Sequence, residues 1–270
     1  MTLEVSLETP DSAPVHLRHE GPLAFLTLNR PSRLNAVSLP LYNALAEILQ
    51  ALGNDSAVRA VLITGAGRAF CVGADLKAHG EAEPTREERR RYAEAGQRVY
   101  RALQTLPKPV VAAVNGHAIG AGLELALSCD IIVVADEAKL RFPELALGTF
   151  VGGGLTYTLM QRVGVCRAKE LVFLAEFFDG KEAARIGLVN RCVPTVEVLV
   201  SATTLAQRLA AMAPLPLALA KRLFDQAWHL DAEAALKRET EALLQCMETS
   251  DWREGIEAFH ERREPRFTGS

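Results

Sequence analysis

Short apolar runs bounded by turn residues dominate the first half of the chain and predict buried β-strands. Four to six consecutive apolar residues between glycine, proline or asparagine are typical of strands inside a sheet. The predicted strands are residues 15–19, 23–28, 59–64, 110–114 and 131–134. Turns and helix-like segments separate several of them. Strand, turn and helix in repeated succession predict an α/β fold with parallel strands.

Apolar residues at helical spacing predict the helices. The first helix follows Ser38, where serine as N-cap and Pro40 just inside the helix are a typical start signal. Residues 84–106 form a second, charged helix, and residues 120–128 a short third one. The predicted C-terminal helices are residues 196–212, 216–228, 231–247 and 252–263. Their apolar stripes suit packing on the chain's own core or on a neighbouring subunit.

Composition and charge exclude several classes of function. Hydrophobic residues make up 49% and charged residues 23%, an ordinary globular balance. The net charge of −3 argues against a nucleic-acid-binding protein. No stretch approaches the roughly 18 consecutive apolar residues of a membrane span, and the first residues lack the basic start and apolar core of a signal peptide. We therefore expect a cytoplasmic protein that binds neither membrane nor nucleic acid.

The cysteines and histidines do not predict a metal site. The five cysteines are odd in number and widely spaced, as is typical of free thiols in a reducing compartment. The six histidines are not paired at the spacing of metal ligands, and neither HExxH nor CxxC occurs. We therefore predict that the protein binds no metal.

A glycine-bearing turn at residues 65–77 follows a predicted strand, which is the position of a nucleotide-binding loop. The dinucleotide fingerprint needs a third glycine where Phe70 stands. A P-loop needs glycine-lysine followed by serine or threonine, and this turn lacks that sequence. Both nucleotide-binding interpretations are therefore rejected.

A second turn, at residues 115–124, leads into the short third helix. Small residues at positions 120–122 leave backbone N–H groups accessible at a helix start, where negative charge is favoured. Glu124 lies in the first turn of this helix and could equally serve only to complement the helix dipole. Glu144, taken alone, is an ordinary carboxylate. Local features thus leave the roles of both glutamates open.

Several motifs occur in a fixed order along nearly the whole chain. They are Leu28-Asn29-Arg30-Pro31 with Asn35-Ala36, residues 69–77, residues 115–130, residues 142–154, Asp179-Gly180-Lys181-Glu182-Ala183, Gly187-Leu188-Val189-Asn190 and residues 254–259. Their ordered combination resembles the crotonase superfamily, also called the enoyl-CoA hydratase/isomerase family. This family uses one scaffold for several reactions, so the reaction has to be argued from the site residues.

The resemblance implies an α/β fold of the ClpP/crotonase type, a spiral of repeated ββα units followed by a helical trimerisation region. On this basis residues 1–195 form the core with the site for a coenzyme A thioester, and residues 196–270 form the helical region. Relatives are usually trimers or dimers of trimers. No cofactor is implied, because coenzyme A is part of the substrate.

The resemblance also implies an oxyanion hole formed by the backbone N–H groups of Ala74 and Ala121. Many relatives have glycine where Ala121 stands, and the alanine keeps the N–H while its methyl group narrows the approach. A thioester carbonyl that is attacked or enolised gains negative charge, which two such donors stabilise. Contacts with coenzyme A or substrate are implied at Ala69, Ala74, Asp75, Leu76, Lys77 and Gly120.

Glu124 and Glu144 match the two acid/base positions of the family's hydratases. Glu124 would orient and deprotonate the water that adds to Cβ, and Glu144 would protonate Cα. Two close carboxyl groups titrate as a coupled pair, so one can stay protonated near neutral pH. Gly152 matches a backbone position that helps to hold the water. Val151 and Leu155 depart from the proline and glycine of many hydratases, which leaves the acyl-chain preference open.

The resulting prediction is an enoyl-CoA hydratase, which adds water reversibly and syn to a trans-2-enoyl-CoA to give a 3-hydroxyacyl-CoA. The nearest alternative is a Δ3,Δ2-enoyl-CoA isomerase, which needs only one base, commonly at the position of Glu144. The presence of both glutamates favours hydration. A decarboxylase or thioesterase using the same oxyanion hole stays open, as does a protein that binds acyl-CoA or RNA without catalysis.

Overall fold

Two parallel-stranded sheets form the framework of the chain. The computed structural model describes residues 13–75 and 84–270. The strands are β1 (Val15–Glu20), β2 (Leu23–Leu28), β3 (Ala60–Gly65), β4 (Ala69–Cys71), β5 (Val110–Val114), β6 (His117–Ile119), β7 (Ile131–Ala135), β8 (Leu140–Arg141) and β9 (Arg191–Val193). The larger sheet has the order β1-β2-β3-β5-β7-β9, and the smaller one the order β4-β6-β8. Among the strand pairs of the described residues, only β1 and β2 are antiparallel, so the predicted α/β fold with parallel strands is confirmed.

The helices lie between and after these strands. They are α1 (Leu39–Asn54), α2 (Arg86–Thr105), α3 (Ala121–Leu127), α4 (Leu155–Leu174), α5 (Gly180–Arg185), α6 (Val198–Ala210), α7 (Pro214–Ala227), α8 (Ala232–Met247) and α9 (Ser250–Glu261). The predicted N-cap of α1 is confirmed, because the Ser38 side chain accepts a hydrogen bond from the Leu41 N–H. The α2 helix begins with a capping box between Thr85 and Glu88, which satisfies N–H groups at the helix start.

The core of the molecule is the larger sheet with α1 and α6 packed on it and α2 packed against α1. The strand β5 is buried along its whole length, as expected for a central parallel strand. The helix α6 places Ala202, Leu205 and Ala206 in the same apolar cluster as β3 and β5. The first helix of the C-terminal region thus packs on the sheet, and the division at residue 195 remains a proposed boundary.

The chain passes from the larger sheet into the smaller one at the carboxyl ends of β3 and β5. The Asn115 side chain holds these two exits together, since its Nδ2 donates to the Gly65 and Gly67 carbonyl oxygens, both at 2.9 Å. Its Oδ1 accepts the Gly65 N–H at 3.2 Å. The turns after β3 and β5 therefore have a fixed relative position, which sets the start of α3 against the residues that follow β4.

Within the described residues, no single helix is long and apolar enough to cross a membrane. Taken together, residues 195–210 and α7 reach the length and apolar content of a membrane span, and the two segments meet at an angle of 110°.

Candidate active site

The two glycine-bearing turns predicted from the sequence lie against each other. A Cβ atom on Gly73 would come within 2.7 Å of the Ile119 carbonyl oxygen and 3.5 Å of the Ala121 nitrogen. A Cβ atom on Gly122 would overlap the Cys71 carbonyl oxygen. Glycine at these two places allows the segment after β4 to approach the start of α3 at backbone distance.

The backbone N–H groups of Ala74 and Ala121 donate no hydrogen bond to the described segments next to them. Around Ala74, the Val37 N–H donates to the Gly73 carbonyl oxygen (2.7 Å) and the Asp75 N–H donates to the Val37 carbonyl oxygen (3.1 Å). Because successive residues of an extended chain alternate sides, the Ala74 N–H faces away from Val37. Ala121 is the first residue of α3, where an N–H has no acceptor in the helix. Neither N–H donates to any of the described residues.

Glu124 lies one turn into α3, with only 6% of its surface exposed. Its Oε1 accepts a hydrogen bond from the Gly152 N–H at 2.7 Å. A Cβ atom on Gly153, which has a φ of +52°, would lie 3.1 Å from the Glu124 Oε2. Burial raises the pKa of the Glu124 carboxyl to about 7, the Gly152 hydrogen bond opposes this rise, and the charge of Glu144 adds to it.

Glu144 reaches the same place from the segment after β8. A Cβ atom on Gly120 would lie 2.5 Å from the Glu144 Oε1. The Glu144 Oε2 is buried and has no hydrogen-bond partner among the described residues. Burial raises the pKa of Glu144, while a hydrogen bond with its own backbone and the nearby charge of Arg141 lower it. Glu144 thus lies beside Gly120 at the start of α3, and its charge acts on the Glu124 carboxyl group one turn further along.

Two tyrosines from α1 and α2 form part of the surroundings of Glu124. The Tyr42 and Tyr92 rings lie 5.5 Å apart between centroids. Burial raises the pKa of Tyr92 to about 12, and the charges of Cys71 and Glu124 contribute to the rise. Neither tyrosine could be recognised from the sequence, because a tyrosine on a helix gives no local signal of a site.

Comparison with known proteins identifies the family. The family model described as enoyl-CoA hydratase/isomerase matches residues 18–270. The chain belongs to the enoyl-CoA hydratase/isomerase family. The predicted resemblance to the crotonase superfamily is thereby confirmed.

Individual family members match almost the whole chain. A short-chain-enoyl-CoA hydratase of Clostridium acetobutylicum is 38% identical over 250 residues, which are 92% of this chain and 95% of the relative. A crotonyl-CoA hydratase of Syntrophomonas wolfei is 36% identical over 252 residues, 93% of this chain and 96% of the relative. The crystal structure of an enoyl-CoA hydratase from Bacillus anthracis superposes with a TM-score of 0.91 at 33% identity, covering 95% of this chain and all of that one. The predicted crotonase fold is thereby confirmed.

The ligand contacts implied by the family resemblance occupy different environments. Gly120 lies beside the two glutamates, with a φ of +52°. Ala69 is fully buried in β4, and its carbonyl oxygen accepts a hydrogen bond from Asn35. The Asp75 carboxylate is buried and pairs with Arg30 at 2.8 Å. Leu76 and Lys77 lie outside the described residues, as do residues 78–83, whose small and polar side chains predict a loop. These contacts with coenzyme A or substrate stay predictions.

The residues at the two departures from the usual hydratase pattern line an apolar cavity next to Glu144 and Gly152. The cavity has a volume of about 170 Å³. Its lining includes Leu145, Phe150, Val151, Leu155, Leu159 and Phe173. Two of its lining residues adjoin the site along the chain, since Leu145 follows Glu144 and Val151 precedes Gly152.

A polar segment that contains Arg30 and Asn35, and for which no role is predicted from the sequence, also lies at the site. Arg30 and Asn35 belong to the family's first motif and lie behind the residues that precede Ala74. Asn35 is fully buried although it is polar and has a φ of +57°. The sequence feature that could have indicated this role is the presence of Arg30 and Asn35 in a motif with apolar residues on both sides. Among the described residues, no group of three or more histidine, cysteine, aspartate or glutamate side chains could hold a metal ion.

Proposed function

We propose that this family member is an enoyl-CoA hydratase that adds water across the double bond of a trans-2-enoyl-CoA. One observation carries the proposal: the buried carboxyl group of Glu124 and the half-buried carboxyl group of Glu144 both lie at the start of α3, beside two backbone N–H groups that have no acceptor among the described residues. Hydration of an enoyl thioester needs one acid, one base and a site for negative charge on the carbonyl oxygen.

The N–H groups of Ala74 and Ala121 are assigned to the thioester oxygen. When water attacks Cβ, the electrons of the double bond move towards the carbonyl and the oxygen becomes an enolate. Each preorganised donor aimed at such an oxygen contributes about 3 kcal/mol of transition-state stabilisation. The location of Ala121 at the start of a helix adds the favourable end of the helix dipole.

Glu124 is assigned to the water and Glu144 to Cα. Ionised Glu124 accepts one proton of the water while the water oxygen bonds to Cβ. The proton of neutral Glu144 passes to Cα, and the enolate returns to a thioester. Burial raises the pKa of both carboxyl groups, that of Glu124 to about 7. Two interacting carboxyl groups titrate as a coupled pair in which one can hold the proton near neutral pH, and the assignment of that proton to Glu144 follows the family resemblance. The Gly152 N–H, which already binds Glu124, is assigned to positioning the water.

Short acyl chains are the first substrates to consider. Two of the relatives are named short-chain-enoyl-CoA hydratase and crotonyl-CoA hydratase. The apolar cavity lined by Val151 and Leu155 has a volume of about 170 Å³, and bulky side chains surround it. Coenzyme A serves as the handle of the substrate, and the reaction as written needs no further cofactor.

Assembly into a trimer or a dimer of trimers in the cytoplasm completes the proposal. Large apolar side chains on the C-terminal helices are exposed in the single chain, including Phe224, Trp228 and Phe259 at 78%, 67% and 81%. Contact with neighbouring copies would remove this apolar surface from water. Sedimentation velocity of the purified protein distinguishes a trimer from a hexamer and from a monomer.

The test is the loss of ultraviolet absorbance of conjugated enoyl thioesters, measured on a panel that starts with crotonyl-CoA and adds longer, branched and aromatic members. The expected result is rapid loss with 3-hydroxyacyl-CoA as the product, abolished by Glu124→Gln and by Glu144→Gln. A 3-enoyl-CoA serves as the control for isomerisation, because an isomerase would generate the band. Folded protein that binds coenzyme A thioesters and leaves the whole panel unchanged would overturn the proposal.

A further inference from the structure

The segment between β2 and α1 folds back on itself behind the strand that carries Ala74. The Arg30 N–H donates to the Asn35 Oδ1 and the Asn35 N–H donates to the Arg30 carbonyl oxygen, both at 2.9 Å. Leu34 and Asn35 both adopt the left-handed conformation, with φ values of 52° and 57°. This reversal is sharp enough to bring the following residues alongside Ala74.

Asn35 fixes the folded segment to the turn between β3 and β4. Its Nδ2 donates to the Ala66 carbonyl oxygen at 2.9 Å and to the Ala69 carbonyl oxygen at 2.8 Å. The side chain is fully buried, so these bonds are shielded from water. The segment is thus anchored at its base to the strand that leads to Ala74.

The next residues bracket Ala74 on one side. Val37 bonds to Gly73 and to Asp75 through its backbone, as described above. The Arg30 guanidinium bridges the two segments that contain Val37 and Ala74. Its Nη1 donates to the Ala36 carbonyl oxygen at 2.5 Å, and its Nη2 donates to the Asp75 Oδ2 at 2.8 Å. One planar group therefore ties the residue before Val37 to the residue after Ala74.

On the opposite side of Ala74 lies the start of α3. Gly73 approaches Ile119 so closely that no side chain fits between them. Because these two segments are in direct contact, a displacement of residues 73–75 would change the distance between the Ala74 N–H and the Ala121 N–H. Catalysis by two donors depends on their geometry relative to one oxygen atom.

We infer that the Arg30–Asp75 ion pair is a positioning device that holds the Ala74 N–H in place as an oxyanion donor. Asp75 then acts through the backbone beside it and not through contact with the substrate. A guanidinium is suited to this role, because its fork makes two directed hydrogen bonds and the single ammonium group of lysine does not reproduce that geometry. The inference rests on the proposed hydration, and its test includes a readout that does not depend on turnover.

The kinetic part of the test compares Arg30→Gln, Arg30→Lys and Asp75→Asn with a matched buried pair. Loss of one complete oxyanion donor lowers kcat by ~10²–10³-fold. A donor that is only displaced should cost less, so kcat should fall by ~10- to 100-fold in Arg30→Gln and Asp75→Asn. The KM of both variants should change by less than about threefold. Arg30→Lys should give an intermediate kcat. A direct ligand contact of Asp75 predicts the opposite pattern for Asp75→Asn, a raised KM with little change in kcat.

Lys221→Gln is the control for loss of an ion pair as such. Lys221 Nζ lies 2.8 Å from Asp130 Oδ2, with side-chain exposures of 9% and 27% against 23% and 9% for the Arg30–Asp75 pair. Asp130 binds the Val110 N–H at the amino end of β5, whereas Ala121 follows its carboxyl end. Lys221→Gln should lower the melting temperature and leave kcat within about twofold, since such a pair is structural.

The second readout is the carbonyl stretch of bound [1-¹³C]butyryl-CoA, a saturated thioester that cannot be hydrated, in the infrared difference spectrum. The band should lie below its solution frequency in the unaltered protein and in Lys221→Gln, and should move back towards that frequency in Arg30→Gln. An unaltered protein without hydratase activity but with this pattern would refute the proposed function and support the inference. An Arg30→Gln protein that keeps both kcat and the band position, or an unaltered protein without a lowered band, would overturn the inference.

Discussion

Replacing Glu124 with glutamine should stabilise the protein in alkaline solution while removing its hydratase activity. Glutamine has nearly the same shape as glutamate, and its Oε1 can still accept the Gly152 N–H. The substitution therefore removes mainly the negative charge of a carboxyl group that is only 6% exposed. A buried charge with one hydrogen bond is costly, so its removal should be favourable wherever the carboxyl group is ionised.

The size and sign of the effect follow from the pKa of Glu124. Burial raises it from the usual 4.5 to about 7 in the folded protein, and each pKa unit corresponds to about 1.4 kcal/mol, so the difference is about 3 kcal/mol. Between these two pH values the folded protein keeps a proton that the unfolded chain has released. The stabilisation is therefore fully present below about pH 4.5 and is lost as the pH rises through about 7. Glutamine does not titrate, and the variant should escape this loss.

Urea unfolding near pH 5, 7 and 9 at one protein concentration measures the effect. The free energy of unfolding of Glu124→Gln should exceed that of the unaltered protein by up to about 3 kcal/mol near pH 9, and the gain should be smallest near pH 5. Glu94→Gln, at an exposed position on α2, is the control and should follow the unaltered protein. Equal decline of the unaltered protein and Glu124→Gln between pH 5 and 9 would refute the argument from burial.

Three further predictions concern the geometry and ionisation of the site. Gly120→Ala and Gly21→Ala both place a side chain at a positive φ, +52° and +55°. Both should lower the free energy of unfolding, Gly120→Ala by more, because its ψ of −126° lies outside the left-handed helical region. The new methyl group would meet Glu144 Oε1 in Gly120→Ala, whereas that of Gly21→Ala would meet no atom within 4 Å. The kcat should therefore fall at least ~10-fold in Gly120→Ala and not in Gly21→Ala. Equal kcat values in the two variants would contradict the assigned contact. Gly153→Ala should lower kcat through displacement of Glu124, whose Oε2 would lie 3.1 Å from the new Cβ atom, and an unchanged kcat would argue against that displacement. The kcat/KM of hydration should decrease as the pH falls below about 7, because Glu124 must be ionised to accept a proton from water, and a profile that is flat from pH 5 to 8 would exclude this role.

Much of the larger sheet could be predicted from local pattern, and the smaller sheet could not. The strands β2 and β5 have the bounds that their apolar runs predict, because a buried parallel strand needs a continuous apolar stretch. The strands β4 and β6 are three residues long, and such a length carries no detectable periodicity. Their pairing depends on turns that the larger sheet places next to each other.

The candidate site could be predicted as a set of residues, but its internal contacts could not. Neither Glu124 nor Glu144 has a local sequence feature that marks it as functional, and family resemblance supplied the pairing. Burial, which raises the pKa of both, depends on packing between segments that are distant in sequence. The pairing of Arg30 with Asp75 likewise joins residues 45 positions apart. An alternating or helical pattern describes neighbours along the chain and contains no information on such contacts.

Isotope labelling is the measurement that shows whether Glu124 and Glu144 together add water to the double bond. Crotonyl-CoA is incubated with the protein in ¹⁸O-labelled water, and the products are analysed by mass spectrometry. We expect 3-hydroxybutyryl-CoA with one ¹⁸O atom at C3, and none from Glu124→Gln or Glu144→Gln. Folded protein that binds crotonyl-CoA but yields no labelled hydroxyacyl thioester, or that yields a free acid carrying the label, would contradict it.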